Sequence, residues 1–395
     1  MYDSWIEAVD RGELVGVCML DMSAAFDLVS HDLLLEKMTL YGFENNVIAW
    51  MKSYLGGREQ CVYIEGCLSS CLPVKVGVPQ GSILGPLFYV LFTNDLPEVV
   101  HEHQEQEHDQ DQQQHNQDQE HQEQHEQDQH HQQQVQYNAH CDTCGGICCF
   151  ADDSTYSVSH KNQVKLSAKL SENYNKISDY MTSNKLKLND DKTHLLVMTT
   201  SKMRKNNPVN VTISTNTDPI ISSHSEKLLG AIVHEDLKWA EYLMHGEGSL
   251  ISQLNSRLSA LKLISKYSSF KTRLMISNGI FISKLIYLIQ LWSGCEQYLI
   301  KALQIVQNKA ARVVTKSNRY TSIKTLLQQC GWLSVSQLAA YHSLCLMYTT
   351  LKTECPKYLH QKILTQLPYT YPCAYRTRLA ESNNMIVEVP QLIQD

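Results

Sequence analysis

Three short stretches carry side chains whose types and order suit phosphoryl chemistry. Asp21 directly follows the apolar run 14–20 (LVGVCML) and opens Asp21-Met-Ser-Ala-Ala-Phe26-Asp27. A glycine-bracketed loop comes next, Gly77-Val-Pro-Gln80-Gly81-Ser82, and then Phe150-Ala-Asp152-Asp153. Carboxylates on adjacent strands can share two hard cations about 4 Å apart, which activate an attacking hydroxyl and stabilise the leaving oxygen of an in-line transfer. A hairpin turn would hold two such carboxylates side by side on a rigid base. Unneutralised, they repel one another, so a dication partner is expected. Each signal has an ordinary reading by itself: an Asp-Asp pair is usually a surface turn, an Asp after a strand is a strand end, and Pro-Gln-Gly-Ser is a loop. Their order along one chain is what changes the odds.

The surrounding pattern supplies elements to hold these residues. The run 14–20 reads as a buried strand ending at Asp21. Ser30 is placed to cap a helix that runs to Leu40 and stops near Gly42. Helical spacing covers 45–55, alternation over 60–65 predicts a strand, and 84–96 predicts a second apolar helix opened by Pro86. Segments 145–151 and 154–159 flank Asp152-Asp153 as strand, tight turn and strand. An amphipathic helix is expected over 162–183, with short strands near 194–200, 209–214 and 227–233. From 246 to 352 the spacing is helical, and Arg257, Lys262, Lys266, Lys271, Arg273, Lys309 and Arg312 interleave with the apolar positions.

Composition bounds the rest. A chain of 395 residues has room for two or three domains. No apolar run reaches the roughly 20 residues a membrane helix needs, and the first residues lack a secretory pattern. The expectation is a cytoplasmic and/or nuclear protein, not secreted, with its 13 cysteines reduced. The net charge of -7 is misleading, because 101–134 holds 10 acidic residues and no Lys or Arg, while the remainder has 34 basic against 31 acidic. A mildly basic body suits a polyanion partner. The tract has nothing apolar to bury and reads as a disordered, solvated insert. Cys141, Cys144, Cys148 and Cys149 have zinc-ligand types, but consecutive strand residues such as Cys148 and Cys149 would point to opposite faces.

The motifs together resemble motifs A, B and C of reverse transcriptases, in the variant of non-LTR (LINE-type) retrotransposons of the jockey and chicken-repeat kind. The resemblance rests on Asp21 through Phe26-Asp27 and His31, on Gly77-Val-Pro-Gln-Gly-Ser-Ile-Leu-Gly-Pro86, and on Phe150-Ala-Asp-Asp153. It continues through Asn184-Lys-Leu-Lys-Leu-Asn189 with Lys192, through Lys227-Leu-Leu-Gly230 with Leu237-Lys-Trp239, and into 303–312. It implies an α+β fold: a right-hand polymerase palm of antiparallel strands and helices, then a helical thumb, with incomplete fingers because little chain precedes Asp21. The implied domains are 1–100 (first part of the palm with a finger remnant), the insert 101–140, 141–240 (second part of the palm), 241–352 (thumb and post-thumb) and a tail, 353–395.

The resemblance also implies roles. Asp21, Asp152 and Asp153 would ligate two Mg2+ ions, with Mn2+ as the alternative. Lys192 would act on the triphosphate as charge stabiliser or acid. Phe26 would crowd a 2′-hydroxyl and favour deoxynucleotides. Gln80 and Gly81 would bring backbone close to the templating base and nucleotide. Partners would be an RNA template, a DNA primer and deoxynucleoside triphosphates, with no membrane. Arg257, Lys262, Lys266, Lys271 and Arg273 would face phosphates. The alternatives are an inactive nucleic-acid-binding remnant of such an element, or another two-metal polymerase such as a maturase or telomerase.

Overall fold

The computed structural model describes residues 1–101, 146–206, 208–215, 218–246 and 248–366. Nearly all of the expected insert, together with Cys141, Cys144 and the end of the expected tail, lies outside these residues. The chain divides into two units, Met1–Leu237 and Lys238–Asp395.

In the first unit strand β1 (Leu14–Leu20) lies in the middle of the main sheet and is buried on both faces. After helix α1 (Tyr2–Asp10) come β1, α2 (His31–Leu40), α3 (Asn45–Leu55), four two-residue strands, α4 (Leu84–Phe92) and α5 (Leu96–His101). The short strands are β2 (Glu59–Gln60), β3 (Tyr63–Ile64), β4 (Cys67–Leu68) and β5 (Leu72–Pro73). Beyond the insert lie β6 (Ile147–Phe150), β7 (Asp153–His160), α6 (Gln163–Ser183), β8 (His194–Met198), β9 (Thr212–Ile213), β10 (Ile220–Ser223), β11 (Ser225–Leu228) and β12 (Ala231–His234). A six-stranded sheet runs β6-β7-β1-β8-β10-β9, and β1 is antiparallel to both its neighbours.

The unbroken apolar run of β1 has a physical cause, burial on both faces. Leu14, Cys18 and Leu20 belong to a core shared with Leu34 and Met38 of α2, Phe88 and Phe92 of α4, and Leu166 and Leu170 of α6. Val15 and Val17 belong to a second core with Trp5, Ala8 and Val9 of α1 and with Leu196 and Met198 of β8. Gly16 sits where α6 crosses, and a Cβ there would lie 2.5 Å from a methyl carbon of Leu170.

Several expected elements differ in detail. The single strand over 60–65 is instead two short pieces of an exposed arm, turned back at Glu65-Gly66, where φ is +48° and +88°. The helix expected over 84–96 is broken between Phe92 and Leu96. There the half-buried amine of Lys37 binds the Phe92 carbonyl at 2.7 Å and both Asp95 oxygens at 2.8 and 2.9 Å, while the Tyr180 hydroxyl donates to Asp95 at 2.5 Å. Burying a charge is tolerable only with such partners, and supplying them bends the chain. The strand expected at 227–233 is the hairpin β11–β12, turned by Leu229-Gly230 with φ of +46° and +81°. Ser30 precedes α2 as expected, but its side chain makes no capping bond; its backbone bridges to Val76.

The second unit is helical, with main segments Leu250–Ser265, Phe270–Ser277, Gln297–Thr315, Ile323–Cys330, Val335–Thr353 and Lys357–Gln366. The basic residues expected to face phosphates divide into two groups. Lys262, Lys266 and Lys271 are exposed. Arg273 is buried, and its guanidinium donates to the carbonyls of Val314 at 2.7 Å and Ser268 at 2.5 Å. Arg257 donates to the Ile280 carbonyl at 2.5 Å. These two arginines tie segments of the unit to one another through backbone carbonyls.

Candidate active site

The register of β1 against β7 pairs Leu20 with Ser154, so the next step along the ladder sets Asp21 against Asp153. β6 and β7 close on each other with Phe150 opposite Asp153, leaving Ala151 and Asp152 as a two-residue turn. Ala151 holds φ at +54°, a left-handed value that costs a non-glycine residue on the order of 1 kcal/mol or more. Hairpin strain therefore sits at the tip that presents Asp152.

Asp153 senses the other two carboxylates. Partial burial, with the negative charges of Asp152 and then Asp21, raises the Asp153 carboxyl above the usual carboxylate range. A cation beside them would relieve that repulsion. Hard carboxylate oxygens are the ligands Mg2+ prefers, so the donor chemistry fits. As they stand, no three His, Cys, Asp or Glu side chains among the described residues are gathered tightly enough to hold an ion. That includes the cysteines: Cys148 and Cys149 are consecutive on β6.

A third segment is fastened to Asp21 by its backbone. Met22 bridges to Leu188, Ser23 N donates to Lys187 O at 3.0 Å, and Asn189 N donates to Asp21 O at 3.0 Å. The following turn, Asp190–Lys192, is pinned by the Tyr174 hydroxyl, which donates to Asp190 at 2.5 Å. Lys192 Nζ lies 4.0 Å from Asp21 Oδ2, with 69% and 41% of the two side chains exposed. A pair that open to solvent is weak, and its amine remains available to another anion.

The loop 77–82 is fixed against the segment after Asp21. Gly77 N donates to Val29 O at 2.8 Å and Val78 N to Phe26 O at 2.8 Å. His31 Nε2 lies 2.7 Å from Gly77 O; because a carbonyl only accepts, the imidazole donates from Nε2. Gln80 donates its amide to Asp27 at 2.9 Å, and Gly81 adopts φ +79° in open space. At Gly77 a Cβ would lie 2.8 Å from the Asp27 carbonyl oxygen, so only glycine fits the approach.

One residue of the site had no signal in the sequence. Tyr89 of α4 is fully buried, packs its ring 5.0 Å from that of Phe26, and donates its hydroxyl to Met22 Sδ at 2.7 Å. Burial and then the charge of Asp152 push its phenol well above the ordinary value. It is the floor on which Phe26 rests.

Residues 7–233 match the family model described as reverse transcriptase (RNA-dependent DNA polymerase). The chain belongs to this family. The matched residues all lie in the first unit, whose fold is α+β. Over 92 residues the chain is 41% identical to the RNA-directed DNA polymerase from mobile element jockey of Drosophila funebris, covering 23% of this chain and 10% of that one. Over 330 residues it is 24% identical to the probable RNA-directed DNA polymerase from transposon X-element of Drosophila melanogaster, covering 81% of this chain and 30% of that one. The chain thus spans between a tenth and about a third of the length of these curated relatives. Among solved structures, telomerase from Candida tropicalis in complex with a TWJ fragment of telomeric RNA aligns over 83% of this chain and 51% of that one, at 11% identity and a TM-score of 0.39. No helix among the described residues is long and apolar enough to cross a membrane.

Proposed function

We propose that this chain is the polymerase core of a non-LTR retrotransposon: it adds deoxynucleoside monophosphates to a primer 3′-hydroxyl under the direction of an RNA template. The observation that carries this reading is the pairing of β1 with β7, which sets Asp21 against the Asp152-Asp153 turn, with Lys192 beside Asp21. Asp21, Asp152 and Asp153 would hold two Mg2+ ions, which supply charge neutralisation at the attacking and leaving oxygens. Lys192 offers its amine to a phosphate and a proton to the departing pyrophosphate. Phe26, on its Tyr89 floor, occupies the space a ribose 2′-hydroxyl would need. Gln80 and Gly81 let the loop backbone approach base and nucleotide, and Gln80 is steadied by Asp27. In the second unit, which we assign as the thumb, Lys262, Lys266 and Lys271 would contact phosphates without regard to sequence.

Primer extension on an RNA template with the full chain, Mg2+ and deoxynucleotides tests the reading. Wild type is expected to incorporate, and the Asp152→Ala/Asp153→Ala double variant to lose incorporation while keeping its melting transition. An intact fold with no incorporation by either protein, alongside salt-sensitive RNA binding, would replace the enzyme with a binding remnant.

A further inference from the structure

Between α3 and the loop 77–82 the chain makes the arm 59–73, every residue of which is exposed. It carries three free cysteines, Cys61, Cys67 and Cys71. The pairing register fixes how they are related. At the base, Glu59 pairs with Pro73 and Gln60 with Leu72, so the next step sets Cys61 opposite Cys71. At the tip, Tyr63 pairs with Leu68 and Ile64 with Cys67, and Ser69 N donates to Val62 O at 2.9 Å. The two ladders differ by one residue, so a bulge falls at 69–70, opposite Val62 and beyond the cysteine pair.

Directly opposed residues of an antiparallel pair project to the same face, with Cα atoms about 4.5–5.5 Å apart. That lies within the roughly 4.4–6.8 Å that a disulfide spans. Cys67 faces Ile64 instead and has no thiol across from it. Solvent reaches all three sulfur-bearing residues, so accessibility does not distinguish them; only geometry does.

We propose that Cys61 and Cys71 are a redox-active pair that closes as a disulfide across the base of the arm. With a small disulfide such as oxidised glutathione as oxidant, one cysteine thiolate attacks a glutathione sulfur, the glutathione S–S bond breaks and a glutathione thiolate leaves. The second cysteine, after losing its proton, attacks the protein sulfur of the mixed disulfide and displaces the second glutathione. Two protein thiols are oxidised, and one glutathione disulfide becomes two thiols. The product ties together the strands leading from α3 and into the loop 77–82. It restricts the arm, as closing a short loop does.

The test incubates the full chain with oxidised glutathione, caps free thiols with N-ethylmaleimide, and maps chymotryptic peptides without reduction. The expected species joins the Cys61 and Cys71 peptides across a cut after Tyr63, with two hydrogens lost, and separates on dithiothreitol. It persists in Cys67→Ser and vanishes in Cys61→Ser, where Cys71 then carries glutathione. Amide exchange over 62–70 is expected to slow by on the order of tenfold in the oxidised protein. A Cys67-containing link as the main product would overturn the proposal, as would Cys61 and Cys71 fully capped in a protein that melts like wild type.

Discussion

Phe26 is the residue whose replacement most directly tests how the site chooses its sugar. Its half-buried ring lies 5.0 Å from Tyr89, and Tyr89 is itself fixed by burial and by its bond to Met22 Sδ. The ring therefore has no room to retreat from a substrate. Excluding one small group by a shaped apolar surface is worth about 1–3 kcal/mol, or roughly 10–200-fold in selectivity. Phe26→Ala should lower the preference for a deoxynucleotide over the matching ribonucleotide by about that factor, chiefly by improving the ribonucleotide. Tyr89→Leu keeps the gate but removes its floor. The aromatic pair contributes about 0.5–1.5 kcal/mol, so the loss there should be only about 2–12-fold. Single-nucleotide extension with dCTP and CTP, reported as kcat/KM for each, reads both values. Unchanged selectivity in a folded Phe26→Ala protein would refute the gate, and a larger effect from Tyr89→Leu than from Phe26→Ala would refute the assignment of gate and floor.

Three further outcomes follow from the geometry. Gly16→Ala drives a Cβ against Leu170 and should cost about 1–3 kcal/mol, lowering the melting temperature by about 2–12 °C; adding Leu170→Ala should cost less than the sum of the two single changes, and strict additivity would contradict the clash. Gly77→Ala meets Asp27 backbone that cannot swing aside, at a φ of +89°, so a loss of about 2–4 kcal/mol is expected in urea denaturation. Asp153 has a carboxyl raised by burial, Asp152 and Asp21, so the folded state binds its proton more tightly than the unfolded chain does. Stability should therefore fall as pH rises from the usual carboxylate range through that raised value. Without added divalent cation, Asp153→Asn should remove this fall and melt above wild type at pH 7; an unchanged pH profile would count against the carboxylate cluster.

What could be read from the sequence followed burial. The bounds of β1 were legible because both of its faces are covered, which leaves seven apolar residues in a row ending at an aspartate. α3 was legible from its spacing and from the Gly56-Gly57 that follows. The hairpin was legible because the polar pair Asp152-Asp153 interrupts two strand-like runs, although its turn falls one residue earlier, at Ala151-Asp152, with Asp153 already paired in β7. The arm was misread because alternation normally reports a half-buried strand, and here neither face is buried. The break after Phe92 was invisible because its cause, Lys37, lies 55 residues upstream and looks like any surface lysine of α2. Tyr89 sits in an apolar helix where nothing distinguishes it from its neighbours. The role of Arg273 was hidden for the opposite reason: a cation on a helix suggests an anion outside, and this one is used on carbonyls within.

The same contrast explains how the fold tolerates a long insertion beside the Asp152 turn. The tract enters after α5 and leaves before β6, and both flanks are held by their own burial, since Leu96 and Val100 share one core with Ile147. The hairpin register is set by β6 against β7 and by β7 against β1. Short backbone ties bind Asp21 to Asn189 and Phe26 to Val78, so the segments that carry these residues depend on β1 and on one another. An insertion between the loop 77–82 and the Asp152 turn therefore changes the length of the path between them without moving either end.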